Sequence, residues 1–203
     1  MRFRIAYLLL LIFPFAANLA AAQAPPKWDD DLVGHLAGAW TLTGQVLGRE
    51  VHHNVQAEWV LNHQFLRIHE KTVAAAPASE LRYEAIWFLG YDAVSERYVL
   101  HLLDVFGARY SETLGYGTRD GNSLRFVFEY PDGPFHTTFL WAPETGTWQW
   151  LLEQKNKENK WTNFADLKLV PAALGSVDTT PPLNRGCRSR CGAILDALIG
   201  LGQ

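Results

Sequence analysis

Hydrophobic and polar residues alternate along much of this chain, the pattern of a β-strand with one buried face. The segment from residue 51 to residue 61 is the clearest example. One face carries Val51, His53, Val55, Ala57, Trp59 and Leu61, and the other carries His52, Asn54, Gln56 and Glu58. We predict that the first face points into the core.

Two apolar runs between Tyr83 and Gly107 flank a segment of turn-forming residues, 90–96, which predicts a β-hairpin. Apolar side chains crowd both faces of these two strands. Such strands suit neighbours that wrap around them, so the pattern favours a curved sheet or a barrel over an open, half-solvated sheet.

The remaining strand patterns follow one another through short connections, so each strand is expected to pair antiparallel with the next. An open meander would leave exposed edges, and closure removes them. We therefore predict an all-β protein with an antiparallel up-and-down barrel of about ten strands. The predicted strands span 39–47, 51–61, 64–73, 81–90, 97–106, 109–117, 122–130, 134–142, 147–155 and 160–170.

Three sequence blocks resemble a known family. These are Gly38-Ala39-Trp40, the run from Trp59 to Leu66, and Leu89-Gly90-Tyr91-Asp92 with Arg97-Tyr98-Val99. Together they look like bacterial proteins of domain of unknown function 1579, which is similar to the lipocalin-like (calycin-like) barrels. The resemblance covers about residues 32–171 and implies a barrel domain without an established activity. It also implies that Trp40 plugs one barrel end.

The N-terminus has the three regions of a secretory signal peptide. Arg2 and Arg4 precede an apolar stretch, and small residues follow at Ala20-Ala21-Ala22. We predict a signal peptide over 1–22 and an exported protein, periplasmic or secreted, with no transmembrane span in the mature chain.

Residues 172–203 form a linker and a short tail that is predicted to be an amphipathic helix. Cys187 and Cys191 are the chain's cysteines and could form a disulfide in an oxidising compartment. The tail could contact a membrane surface, cover the barrel mouth or bind a partner. A loosely docked appendage is the alternative.

Composition narrows the class of partner. The chain has 203 residues, of which 48% are hydrophobic and 13% aromatic, and a formal net charge of −3. That suits one globular domain with extensions. No basic stripe argues for nucleic acid.

The predicted barrel interior is rich in aromatic residues, which suits a small apolar or aromatic ligand. A core filled by these same side chains is the alternative. The predicted cavity lining comprises His53, Trp59, Trp87, Glu112, Phe126, Phe128, Phe139, Trp141 and Trp150.

Two of these residues could orient the polar end of a ligand. His53 lies on the inward face of its strand, and Glu112 shares a face with Tyr110 in the strand predicted over 109–117. A satisfied rim histidine and a solvated carboxylate are the simpler interpretations. His136 is predicted to face solvent.

No dedicated metal site or cofactor is predicted, because no His-x-His, His-x-Asp or His-x-Glu pair occurs on a strand. Haem would require His53 or His101, since the last predicted strand has no histidine. The pattern does not favour haem.

The sequence therefore predicts an exported barrel that binds a small apolar molecule. Two alternatives stay open. One is a cavity enzyme, an isomerase or hydrolase using general acid and base. The other is a structural or envelope-interaction module with a filled barrel.

Overall fold

The computed structural model describes residues 26–74 and 82–173. Within these ranges, ten antiparallel strands form a closed barrel, in which β1 pairs with both β2 and β10. The predicted all-β, up-and-down barrel is therefore confirmed. The elements are α1 (Asp31–Gly34), β1 (Gly38–Val46), β2 (Arg49–Val60), β3 (Phe65–Thr72), β4 (Glu84–Asp92), β5 (Arg97–Asp104), α2 (Ala108–Ser111), β6 (Gly115–Asp120), β7 (Ser123–Tyr130), β8 (Gly133–Ala142), β9 (Thr147–Lys155) and β10 (Trp161–Pro171).

The strand predicted over 109–117 is wrong in its first half. Residues 108–111 form α2, and β6 begins only at Gly115. Gly107, which precedes α2, has a φ of 83°, a backbone conformation that favours glycine. The chain turns away from β5 at this point, so Tyr110 and Glu112 do not share a strand face.

Large side chains point into the barrel, and glycines on β6 make room for two of them. A Cβ added to Gly117 would lie 2.5 Å from the ring of Phe126, and one added to Gly115 would lie 2.5 Å from the ring of Phe128. Both distances are far below van der Waals contact. The rings of β7 therefore lie directly over the backbone of β6.

The helix α1 closes one end of the barrel, called here the α1 end. The indole N–H of Trp40 donates to the carbonyl of Leu36 at 2.8 Å, so Trp40 has the structural position expected of a barrel plug. Asp30 caps α1 by accepting a hydrogen bond from the Val33 N–H at 2.9 Å. Its other carboxylate oxygen accepts one from the Tyr98 hydroxyl at 2.5 Å.

The opposite end, called here the α2 end, is where β5 and β6 diverge. β5 pairs with β6 only from Tyr98 to Leu100, whereas β5 itself continues to Asp104. The helix α2 lies beside this unpaired part of β5, and a ring nitrogen of His101 is 2.7 Å from the Ser111 carbonyl oxygen. The sheet is therefore most open at this place.

Several predictions fall outside the described residues. These are the signal peptide over 1–22, nearly all of the tail over 172–203, and the possible disulfide between Cys187 and Cys191. In the part of the chain that the structure describes, no helix is both long and apolar enough to cross a membrane.

Candidate functional site

Polar side chains cluster inside the barrel at the α2 end. His53 on β2, Glu70 on β3, Asp104 on β5 and Tyr83, which immediately precedes β4, form what we call the polar cluster. Strand register explains the grouping, because Val55 lies opposite Glu70, while Ala85 lies opposite both Glu70 and Asp104.

His53 and Glu70 form the centre of the cluster. Nδ1 of His53 is 2.6 Å from Oε1 of Glu70, and each side chain is only 5% exposed. A carboxylate can only accept, so Nδ1 of the imidazole donates when Glu70 is ionised. The sequence prediction that His53 points inward is correct, and its partner Glu70 has the inward parity of Leu66 and Ile68 on β3.

Tyr83 and Asp104 extend the cluster. The ring of Tyr83 stacks on His53 at a centroid distance of 5.7 Å, and its hydroxyl donates to the Asp104 carboxylate. Burial raises the pKa of Tyr83 well above its usual value, and the charges of Glu70 and Asp104 add to this effect. Burial also raises the pKa of Asp104, helped by the charge of Glu70.

Aromatic rings surround the polar cluster on the side of β7, β8 and β10. Tyr130 stacks on Phe128 at 5.4 Å and meets Phe135 edge-on at 6.2 Å, and Phe135 in turn contacts Phe164 at 5.3 Å. We call these four residues the aromatic wall. Burial raises the pKa of Tyr130, and the neighbouring Asp104 carboxylate contributes. The α2 end thus combines two carboxylates with flat apolar surfaces.

Four predicted lining residues meet in the middle of the barrel and pack against one another. Trp150 stacks on Phe139 at a centroid distance of 4.7 Å and meets Trp87 edge-on at 5.2 Å. Phe126 meets Phe139 at 6.3 Å. These rings point inward as predicted and form a layer beneath the polar cluster.

Two other predicted lining residues lie at the α1 end, far along the barrel from the polar cluster. Trp59 stacks on His63 in the turn after β2, at 4.0 Å. Trp141 stacks on His35 at 4.6 Å and packs against Trp148 at 5.2 Å. Both rings belong to the closure around α1, so the structure does not bring them together with His53.

Glu112 lies outside the barrel interior and is exposed, because α2 replaces the predicted strand. It lines a small surface cleft of about 190 Å³ that also includes Arg109, Tyr130 and Asp132. Arg109 forms an ion pair with Asp132 at 2.5 Å, which ties α2 to the turn between β7 and β8. Glu112 is thus beside the aromatic wall rather than inside it.

A larger open groove of about 580 Å³ lies at the α1 end, beside Trp28, Tyr98 and Arg119. Its acidic groups serve the fold. Asp30 caps α1, and Asp31 pairs with Arg119, whose guanidinium lowers the pKa of Asp31 to about 2. We therefore place the candidate site at the α2 end.

The prediction that His136 faces solvent is wrong. His136 has outward parity, but the ring of Trp161 covers it at a centroid distance of 3.5 Å, and its exposed fraction is 8%. Arg125 donates to Nδ1 of His136 at 2.7 Å, so the imidazole is the acceptor. Burial lowers the pKa of His136, and the charge of Arg125 adds to this.

Within residues 26–74 and 82–173, no group of three or more His, Cys, Asp or Glu side chains is arranged to hold a metal ion. His101, one of the two haem candidates, points outward to α2. The chemistry of the polar cluster is that of hydrogen bonding and proton exchange, through two carboxylates, an imidazole and a phenol.

Sequence reasoning missed three members of the cluster as site residues: Glu70, Tyr83 and Asp104. Two signals were available. Alternation along β3 puts Arg67, His69 and Lys71 on one face, which leaves Glu70 on the other face with Leu66 and Ile68. A carboxylate at an inward position is uncommon and often functional.

No protein-family model matches the chain, and no curated protein matches its sequence. The resemblance to domain of unknown function 1579 therefore stays a prediction.

Proposed function

We propose that this protein is a lipocalin-like barrel that binds a small, mainly apolar or aromatic molecule at the α2 end. The polar cluster binds the polar group of that molecule, and the aromatic wall contacts its flat apolar part. The observation that carries the proposal is the buried His53–Glu70 pair.

A buried pair of ionisable side chains is a poor way to stabilise a fold. Removing polar groups from water costs free energy, several kcal/mol for each one that is charged, and apolar replacements of similar size are often as stable. The deeper layers of this barrel consist of such apolar residues. Retaining His53 and Glu70 among them is therefore better explained by binding or chemistry than by folding.

The charge of the cluster indicates the type of group it accepts. Glu70 and Asp104 contribute two carboxylates, and no Lys or Arg is among the buried residues that the structure describes. His53 and Tyr83 each donate to one of these carboxylates, and burial together with the charge of Glu70 raises the pKa of Asp104. An amino or hydroxyl group on the ligand fits this environment.

The divergence of β5 and β6 supplies an access route for the ligand. Asp104, a member of the polar cluster, lies at the end of the part of β5 that does not pair with β6. The helix α2 is attached there by the hydrogen bond between His101 and the Ser111 carbonyl and by the exposed Arg109–Asp132 pair. A movement of this four-residue helix would open the cluster without breaking the barrel.

General acid–base catalysis at the same site is the second candidate. The His53–Glu70 pair fixes the imidazole, and the Tyr83 ring stacks against it. Such an arrangement suits proton transfer to or from a bound substrate. The test is turnover of the bound molecule: loss of turnover with retained binding in Tyr83→Phe supports catalysis.

The proposal includes export. Residues 1–22 support export, because they combine a positively charged start, an apolar stretch and small residues before the predicted cleavage site. Expression of the full chain followed by N-terminal sequencing of the mature product tests it. A product that still starts at Met1 would contradict export by cleavage.

Thermal shift with three matched compounds tests the binding proposal. We expect 2-phenylethylamine to raise the melting temperature more than ethylbenzene, and 3-phenylpropionate to have the weakest effect, because the cluster is acidic. The preference for the amine should be lost in Glu70→Gln. It should persist in Glu84→Gln, which removes the outward carboxylate that pairs with His69 at 2.8 Å.

The same preference in both variants would contradict the assignment to the polar cluster. No shift with any of the three compounds would count against interior binding of small aromatic molecules.

A further inference from the structure

Three buried polar atoms in the middle of the barrel have no hydrogen-bond partner among the residues that the structure describes. They are Nε1 of Trp87, Nε1 of Trp150 and Oγ1 of Thr137. The exposed fractions of these residues are 4%, 1% and 0%. Each side chain has the inward parity of its strand.

The three residues occupy one region of the interior. The rings of Trp87 and Trp150 meet edge-on at a centroid distance of 5.2 Å. Thr137 lies opposite Leu152, the next inward residue after Trp150 on β9. It also lies two positions before Phe139, whose ring stacks on Trp150.

Such a group is unusual, because buried indole N–H and hydroxyl groups nearly always have a partner. This chain provides partners for other buried tryptophans. The indole of Trp40 donates to the Leu36 carbonyl at 2.8 Å, and that of Trp148 donates to the His35 carbonyl at 3.4 Å. Both of those residues lie at the α1 end, where the fold closes the barrel.

We infer that the middle of the barrel contains a subsite for a carbonyl oxygen of the bound molecule. An indole N–H can only donate, so the occupant must present an acceptor to Trp87 and Trp150. The acceptor is neutral, because Glu70 and Asp104 lie nearby and no Lys or Arg is buried in the described part of the chain. This inference rests on the proposed function and specifies its ligand.

The subsite and the polar cluster are close enough for one small molecule. Trp87 lies opposite Leu102, and Ala85 lies opposite Asp104, so the two rows are two residues apart along β4. Two residues of a strand span about 7 Å. The inferred ligand is therefore an apolar or aromatic molecule with a carbonyl group at its inner end and an amino or hydroxyl group toward the α2 end.

Calorimetric titration of the full chain with acetophenone, ethylbenzene and benzoate tests the inference. All three compounds contain a phenyl ring. Acetophenone carries a neutral carbonyl, ethylbenzene has no carbonyl, and benzoate carries a negatively charged carboxylate. We expect acetophenone to bind at least about tenfold more tightly than ethylbenzene, as expected for hydrogen bonds to otherwise unpaired buried donors. Benzoate should bind most weakly, and the infrared carbonyl band of bound acetophenone should shift to lower frequency.

Variants assign the effect to two of the three donors. Thr137→Val removes the hydroxyl at nearly constant volume, and Trp150→Phe removes one indole N–H. Both should reduce the preference for acetophenone over ethylbenzene. Trp148→Phe is the matched control, because it removes a buried indole whose N–H already has a partner, and it should retain the preference.

The outcomes separate this inference from the proposed function. Equal binding of acetophenone and ethylbenzene to the wild type would overturn the carbonyl subsite and assign the donors to ordered water, while interior binding stands. A preference unchanged in Thr137→Val and Trp150→Phe would also overturn it. If none of the three compounds binds, the proposed function fails and this inference fails with it.

Discussion

His53 and Glu70 form a hydrogen-bonded pair inside the barrel, with 2.6 Å between Nδ1 and Oε1 and only 5% of each side chain exposed. A similar pair lies on the outer face of the adjacent strands, where a ring nitrogen of His69 is 2.8 Å from Glu84. The outer side chains are 34% and 43% exposed. The two pairs differ mainly in burial, so the same substitution in each pair compares a buried contact with an exposed one.

We predict that Glu70→Leu lowers the free energy of unfolding by about 3–5 kcal/mol, because His53 is left buried beside an apolar group. The double variant His53→Leu/Glu70→Leu should recover most of that loss. On the outer face, Glu84→Leu should change the free energy of unfolding by at most about 1 kcal/mol. Urea unfolding of each variant measures these differences. A double variant no more stable than Glu70→Leu alone would contradict the view that the pair is dispensable for folding.

Asp104→Asn is expected to stabilise the protein at neutral pH. The pKa of Asp104 is raised above 3.8 in the folded state, chiefly by burial. The stability that protonated Asp104 contributes is therefore complete below pH 3.8, and it is lost as the pH rises through the raised pKa of the folded state. The variant should melt a few degrees higher than the wild type at pH 7 and show little gain at pH 3.

Melting curves from pH 3 to pH 8 check this, with the exposed Asp120→Asn as control. A lower melting temperature of Asp104→Asn at pH 7 would be incompatible with an unfavourable buried carboxylate. Weakened binding of amines in this more stable variant would assign Asp104 to the site.

His136 should make the protein less stable in mild acid. Burial and Arg125 lower its pKa from 6.5, so the folded state favours the neutral ring. The resulting stability is present above pH 6.5 and is lost as the pH falls through the lowered folded pKa. His136→Gln should weaken this loss between pH 6.5 and pH 5. The exposed His35→Gln serves as control, and an unchanged pH profile in His136→Gln would contradict the assignment.

Asp30 joins α1 to the barrel, because its carboxylate accepts hydrogen bonds from the Val33 N–H and from the Tyr98 hydroxyl. Asp30→Ala should therefore lower the free energy of unfolding by about 1–2 kcal/mol, the usual effect of losing a helix cap. The exposed neighbour Asp29→Ala should stay within about 0.5 kcal/mol of the wild type. Equal effects of the two variants in urea unfolding would show that the cap does not hold α1 in place.

Parity along the strands predicted the barrel and much of its interior. It placed His53, Phe128 and Trp150 inside, because side chains alternate between the two faces of a strand. The inward carboxylate of Glu70 could have been identified in the same way.

Parity could not predict what covers an outward residue. His136 is on the outer face, yet the ring of Trp161 lies over it, and this contact between β8 and β10 crosses an intervening strand. Alternation was also misleading at Glu112. The segment after Gly107 forms the short helix α2, and the φ of 83° at that glycine is a backbone conformation that favours glycine over the residues of a regular strand.

Native mass spectrometry of the protein, purified from the organism that makes it, tests the central claim most directly. The account predicts that the wild type carries an additional small mass that is lost on denaturation. The same mass should be present in Glu84→Gln and absent from His53→Leu/Glu70→Leu. A wild type without bound mass, together with no binding of the aromatic compounds above, would contradict the claim, as would an identical mass in the double variant.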